Sequence, residues 1–218
     1  MFSGGRVEVT VTVKNIYCVG RNYIQHAQEL NNPVPDSPLL FTKPTHALAI
    51  ANGQEILLPG DRGQIQYEVE VVLHLARKYE PGIKIDDLVD LMALGIDFTL
   101  RDVQTELKEK GYPWTLAKGF INSAVITPWQ PFVGLEAAMQ EEFSLEKNGQ
   151  EVQRGNIRNM IFDFASIFEY TAKHLGLDAG DIFFTGTPAG VGPVSDGDRL
   201  VMKWGEKELG SCLIKLSK

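Results

Sequence analysis

Cysteine is scarce in this chain, with two residues, Cys18 and Cys212, in 218. They stand near opposite ends, and neither belongs to a C-x-x-C motif. This argues against a disulfide-stapled scaffold and against a thiolate metal site. Each lies in an apolar, strand-like run, where a buried reduced thiol is expected. Long apolar runs are also missing, and none is long enough to span a membrane. The opening MFSGGRVEVTVTV lacks the basic-then-apolar order of a signal peptide, so the cytoplasm is the expected compartment. Basic charge is in deficit: 21 Lys and Arg against 28 Asp and Glu leave a formal net charge of −7. A nucleic-acid partner is therefore not expected, because phosphate-backbone binding needs a basic stripe. The same acidity would repel a small anionic metabolite at long range. Repeats, low-complexity tracts and long linkers are absent, so residues 1–218 read as one domain.

What is present is mostly strand signal. Val7, Val9, Val11 and Val13 alternate with polar residues, and 16–19 and LLFTKP read as further strands. Residues 64–76 give the clearest alternation, with Tyr67, Val69, Val71 and Leu73 on one face and Glu68, Glu70, Val72 and His74 on the other. GIDFTL, SAVITPW, FSLEKNGQEVQRG around Asn148-Gly149, DIFFTG and the tail hairpin add more. Helices are expected in GRNYIQHAQEL, in DDLVDLMAL and over 157–175, where Met160, Ile161, Phe164, Ile167 and Phe168 keep helical spacing and Gly176 follows as a stop. Strands outnumber helices and do not alternate with them. The expected class is α+β, predominantly β, with mixed or mostly antiparallel sheets and a few short helices.

Several side chains could carry chemistry. Glu68 and Glu70, two apart in a strand, share a face; they are either its wet side or a pair that needs a cation. Asp97 sits between Ile96 and Phe98 and is either solvated or paired. Three carboxylates from two strands would make a hard-oxygen site suited to Mg2+ or Mn2+. His26 and Glu29, three apart, can hydrogen-bond on one helix face; such a pair is either a surface contact or a base activated by its carboxylate. Lys118 lies in apolar PWTLAKGF and Lys43 in LLFTKP, where a lysine either snorkels or meets an anion. Arg101 and Gln104 follow Asp97 closely and could hold a carboxylate, or form a solvated turn. TGTPAGVG lacks the G-K-[ST] ending of a Walker loop and the G-x-G-x-x-G spacing, which leaves a backbone-rich ligand loop with the Thr187 hydroxyl.

The order of these motifs is more telling than any one of them. VGRNYxxHAxE, LFxKP, ExE, DFTxRDVQ, GxPWxxAKxF and GDxxxTGTPxGVG, from about Ile16 to the C-terminus, closely resemble the fumarylacetoacetate hydrolase family, in particular its short acylpyruvate hydrolase and oxaloacetate decarboxylase branch. The resemblance implies a mixed β-sandwich roll, usually a homodimer, and a Mg2+ or Mn2+ site at Glu68, Glu70 and Asp97. It implies catalytic roles for Lys118 and for a His26–Glu29 pair on a lid helix, and substrate contacts from Arg101, Gln104 and Thr187. Arg21, Asn22 and Lys43 fall in family motifs, and Arg21 and Lys43 are counted with the substrate contacts. The implied activity is metal-dependent C–C hydrolysis of acylpyruvates to pyruvate and a carboxylate, with oxaloacetate decarboxylation beside it. The alternative is tautomerisation of oxaloacetate or isomerisation of a 2-hydroxy-diene dicarboxylate. All of these share an enolate. The small 2-oxo acid substrate would be held at short range by metal and lysine, which answers the objection from net charge.

Overall fold

The computed structural model describes residues 11–29 and 33–217. Strands outnumber helices among them and pair into three sheets. The widest sheet runs in the order Leu39–Lys43, Ile16–Gly20, Ile182–Phe184, Val69–Leu75, Val89–Asp97, Ala124–Ile126 and Leu48–Ile50, with Gln130–Pro131 also paired to Val89–Asp97. The second comprises Gln150–Gly155, Phe143–Lys147, Arg199–Trp204, Lys207–Ser217 and Asn52–Pro59. A small third joins Gly192–Pro193, Ile65–Tyr67 and Thr99–Leu100. Parallel pairs, such as Ile16–Gly20 with Ile182–Phe184, sit among antiparallel ones. The predominantly β, α+β class is the one observed.

Alternation positions the core. Val69, Val71, Leu73 and Leu75 face a cluster that includes Phe98, Phe143, Phe168 and Phe183, while Val72 faces a second cluster with Ile16, Cys18, Ile182 and Phe184. Both faces of this strand are therefore covered. The face carrying the carboxylates is not wet: Glu68 is 5% exposed and Glu70 2%. The expected single strand over 64–76 breaks at Glu68, because Ile65–Tyr67 belongs to the small sheet and Val69–Leu75 to the large one. Opposite Glu70 in the ladder stands Gly95, where a β-carbon would lie 2.6 Å from both the Phe184 ring and Val72. Only glycine allows that approach.

Other expectations shift for physical reasons. In DDLVDLMAL only the first three residues are helical, as the end of the helix Ile85–Leu88; Val89 onward joins the strand Val89–Asp97, because pairing with Val69–Leu75 and burial outweigh local helix preference. The helix expected over 157–175 is Phe164–His174, since the Asp163 carboxylate accepts the Ser166 N–H at 2.8 Å and caps it there; Ile157–Asn159 is a separate 3-10 turn. The Asn148-Gly149 hairpin forms with both turn residues at positive φ, 54° and 81°. Of the alternating valines, residues 7–10 lie outside the described residues, and 11–15 are in no strand. The strand Asn52–Pro59 was not anticipated; its polar start, NGQE, hides it. Both cysteines are free and buried. No helix among the described residues is long and apolar enough to cross a membrane.

Candidate active site

Antiparallel register brings the acids together. Val69 pairs with Ile96 and Glu70 with Gly95, so Asp97, at the end of its strand, arrives beside the break that carries Glu68. The Asp97 N–H donates to the Glu68 carbonyl at 2.8 Å and fixes that junction. One carboxylate oxygen from each of Glu68, Glu70 and Asp97 lies within 4.8 Å of the others, and all three residues are buried.

Cations hold this charge in place. Lys118, last residue of the helix Thr115–Lys118, donates from Nζ to Glu68 Oε2 at 2.7 Å and Asp97 Oδ2 at 2.6 Å. Its Nζ also lies 5.1 Å from the centre of the Phe41 ring. Arg101 opens the helix Arg101–Glu109 and spreads its guanidinium over Glu68 Oε1 (2.6 Å), Gln104 Oε1 (2.6 Å) and Gln66 Oε1 (2.7 Å). Lys43 is buried behind the acids, with Nζ 2.7 Å from Asp97 Oδ1. It donates to the carbonyls of Phe98, Lys118 and Ser123 and to Ser123 Oγ.

These contacts set the protonation states. Burial alone would raise the Glu68 pKa, but Lys118 and then Arg101 bring it below the ordinary carboxylate range. Burial likewise works to lower Lys118, yet Asp97 and Glu68 hold it above the usual lysine value. Glu70 is the exception. Burial and then the neighbouring Asp97 push it well above the usual value, although the Gly186 N–H donates to its Oε2 at 2.7 Å.

Does this set fit a divalent cation? Asp97 Oδ1 gives the sharpest answer. It is buried beside Lys43 as an ion pair but receives no aligned hydrogen bond, while Lys43 also donates to the carbonyls of Phe98 and Ser123 and to the Ser123 hydroxyl. A buried carboxylate oxygen with no aligned hydrogen-bond donor, within reach of two more carboxylates, fits a hard cation. The donors are all oxygen, as Mg2+ or Mn2+ prefers.

A narrow cleft opens above the acids, lined among others by His26, Glu68, Glu70, Asp97, Lys118 and Thr187. His26 lies on Ile24–Glu29, with Nδ1 3.4 Å from Glu29 Oε2. Burial holds its pKa below the ordinary 6.5, against the opposing pull of Glu68 and Glu29. The imidazole is therefore neutral at neutral pH; with Nδ1–H turned to Glu29, Nε2 can accept a proton. Glu29 is itself held by the glycine-rich loop, whose Gly190 N–H reaches its two oxygens at 3.1 and 3.2 Å.

The structure thus brings His26, Glu68, Glu70, Asp97, Arg101, Gln104, Lys118, Thr187 and Arg21 to one cleft. Two expected substrate contacts are otherwise engaged. Lys43 does not line the cleft; it anchors Asp97 and the backbone around Lys118 and Ser123. Thr187 lines it, but its hydroxyl donates to the Val69 carbonyl at 2.8 Å. Asn22 is a buried anchor whose side chain ties Phe162 and Thr185. Sequence reasoning passed over Gln153, which donates to Thr187 Oγ1 and accepts the Val69 N–H, and a lone buried glutamine gives no signal. It also passed over Lys108, a cleft residue at i+7 from Arg101 and i+4 from Gln104, a spacing that could have found it.

A fold of mixed sheets places a buried acidic triad, two of whose carboxylates a lysine bridges, where it could hold a divalent cation. The comparisons with known proteins are more specific. The fumarylacetoacetate (FAA) hydrolase C-terminal family model matches residues 15–215. The chain belongs to that family. It is 40% identical over 189 residues to the mitochondrial oxaloacetate tautomerase of Pongo abelii, covering 86% of this chain and 85% of the relative. It is 35% identical to the oxaloacetate tautomerase of Escherichia coli K12, covering 87% and 88%. The crystal structure of fumarylpyruvate hydrolase from Pseudomonas aeruginosa, in complex with Mn2+ and pyruvate, superimposes with a TM-score of 0.88 at 33% identity, covering 98% of this chain and 94% of that one.

Proposed function

We propose that this chain is a Mg2+- or Mn2+-dependent enzyme that converts 2-oxo acids through a stabilised enolate, with keto–enol tautomerisation of oxaloacetate as its principal reaction. One observation carries the reading: Lys118 Nζ lies between Glu68 and Asp97 in a buried triad that shares a cleft with a neutral His26. Relatives named oxaloacetate tautomerase support the choice of reaction.

Glu68, Glu70 and Asp97 would hold a divalent cation, which would supply Lewis acidity toward the 2-oxo acid. Lys118 places a fixed positive charge where the oxo oxygen becomes anionic. His26 Nε2 takes the proton that leaves one end of the keto–enol system and returns it at the other, while Glu29 holds the ring in one tautomer. Arg101 and Gln104 orient the substrate, and Thr187 and Gln153 keep the loop beside Val69 in place. The family match over residues 15–215 supports a single catalytic unit, and the cytoplasm, where buried thiols stay reduced, is its proposed compartment.

A second reading is favoured by the His26–Glu29–Gly190 chain of contacts. On an acylpyruvate, His26 would take a proton from water as it attacks the C4 carbonyl. The C3–C4 bond then breaks, its electron pair passes into pyruvate enolate, and a carboxylic acid leaves. The deciding experiment follows enol loss from oxaloacetate and pyruvate release from acetylpyruvate separately. Rapid enol conversion with slow pyruvate release supports the tautomerase. Pyruvate release without enol conversion replaces it with the hydrolase.

A further inference from the structure

The small sheet brackets the start of the helix Arg101–Glu109. Ile65 and Gln66 pair with Leu100 and Thr99, immediately before that helix. The Arg101 N–H donates to the Gln64 carbonyl at 2.8 Å, and the Gln64 N–H donates to the Asp102 carboxylate at 2.8 Å. The backbone of Arg101 is thus tied to the segment that leads into Glu68.

Its side chain is tied to the same segment. Gln66 stands two residues before Glu68, so both side chains leave the chain on one side. They reach different nitrogens of one guanidinium. Nε donates to Gln66 Oε1 at 2.7 Å and Nη2 to Glu68 Oε1 at 2.6 Å, while Nη1 donates to Gln104 Oε1 at 2.6 Å. Contacts at Nη1 and Nη2 alone would leave an axis about which the group could tilt. Nε lies off that axis, so Gln66 supplies the third point that fixes the plane. The Gln66 amide is itself oriented, because its Nε2 donates to Gln64 Oε1 at 2.6 Å and leaves its oxygen to the guanidinium. Of the five N–H donors of a guanidinium, three are engaged in this way among the described residues. The others serve the cleft that Arg101 lines.

We propose that Gln66 is a positioning residue that holds the Arg101 guanidinium at the angle needed to receive the carboxylate of a 2-oxo acid, with Gln64 locking the Gln66 amide behind it. This rests on the metal-dependent 2-oxo acid reading and adds to it the part of the fold that aims the arginine. It also gives the small sheet a task, since its strand Ile65–Tyr67 carries Gln66 and its strand Thr99–Leu100 delivers Arg101.

The test is calorimetric and needs no turnover. Mn2+ is titrated into metal-free protein, and pyruvate into Mn2+-loaded protein. Gln66→Met keeps the length of the side chain and removes the acceptor. In it, pyruvate affinity should fall roughly tenfold, while Mn2+ affinity stays at its wild-type value. Gln66→Glu keeps an acceptor for Nε and should bind pyruvate more tightly than Gln66→Met. In an Arg101→Met background, Gln66→Met should cost less than about twofold, because Gln66 acts only through the arginine. Unchanged pyruvate affinity in Gln66→Met, an equal loss in the Arg101→Met background, or a parallel loss of Mn2+ affinity overturns the positioning role and leaves the 2-oxo acid reading standing. A wild-type protein that does not bind pyruvate overturns both.

Discussion

Lys118 and His26 divide the chemistry between a fixed charge and a movable proton. Lys118 is buried, donates to two carboxylates and is held above its usual pKa, so it stays an ammonium throughout the working range. His26 is the group that titrates. Because burial lowers its pKa below 6.5, the neutral base persists into mildly acidic solution, and a bound cation would lower it further. The acid limb of the kcat/KM profile should therefore fall below pH 6.5, and His26→Gln should remove that limb while costing roughly 10²-fold in rate. An acid limb at or above 6.5 in the wild type, or the same limb in His26→Gln, would separate His26 from the proton transfer. Among residues, the sequence made the chemistry legible because carboxylates, histidine and lysine announce themselves in apolar company. It left open whether Glu68 and Glu70 face water, since alternation assigns a face but does not say what covers it. It placed Lys43 at the substrate, when the side chain lies behind Asp97.

At the level of elements, the site depends on two junctions. One is the break at Glu68, where the chain passes from the small sheet to the large one; period-two alternation runs straight through it, so it was invisible in the sequence. Likewise, VDLMAL reads as helix and becomes a central strand only because Val69–Leu75 is there to pair with it. The other junction is the glycine-rich loop after Ile182–Phe184, which was legible as a strand running into a ligand loop. Its Gly190 has φ 99°, and a β-carbon there would lie 2.3 Å from the Val152 carbonyl oxygen. Gly190→Ala must displace the loop that holds Glu29. The expected cost is about 1–3 kcal/mol of stability, read as a lowered Tm, with acylpyruvate hydrolysis falling more than Mn2+ affinity. An unchanged Tm with full hydrolytic activity would show that the loop does not position Glu29.

For the whole molecule, one face suits the homodimer expected from the sequence resemblance. Leu57, Leu116 and Ile121 are 54%, 69% and 70% exposed around a recess that also contains Phe120 and Pro44. Apolar side chains exposed around a recess offer a surface that a partner could cover, and Leu116 shares a helical turn with Lys118. We propose that a second copy covers this face and steadies that turn. Sedimentation should give a dimer, dissociated by Leu116→Glu; a wild-type monomer at micromolar concentration contradicts the pairing. The central claim is metal-dependent enolate chemistry, and one assay addresses it most directly. Protein stripped with EDTA is compared with the same protein after Mg2+ or Mn2+ is restored, following loss of the enol of oxaloacetate. The account predicts that stripping abolishes conversion and that either cation restores it; full activity in the stripped protein would contradict it.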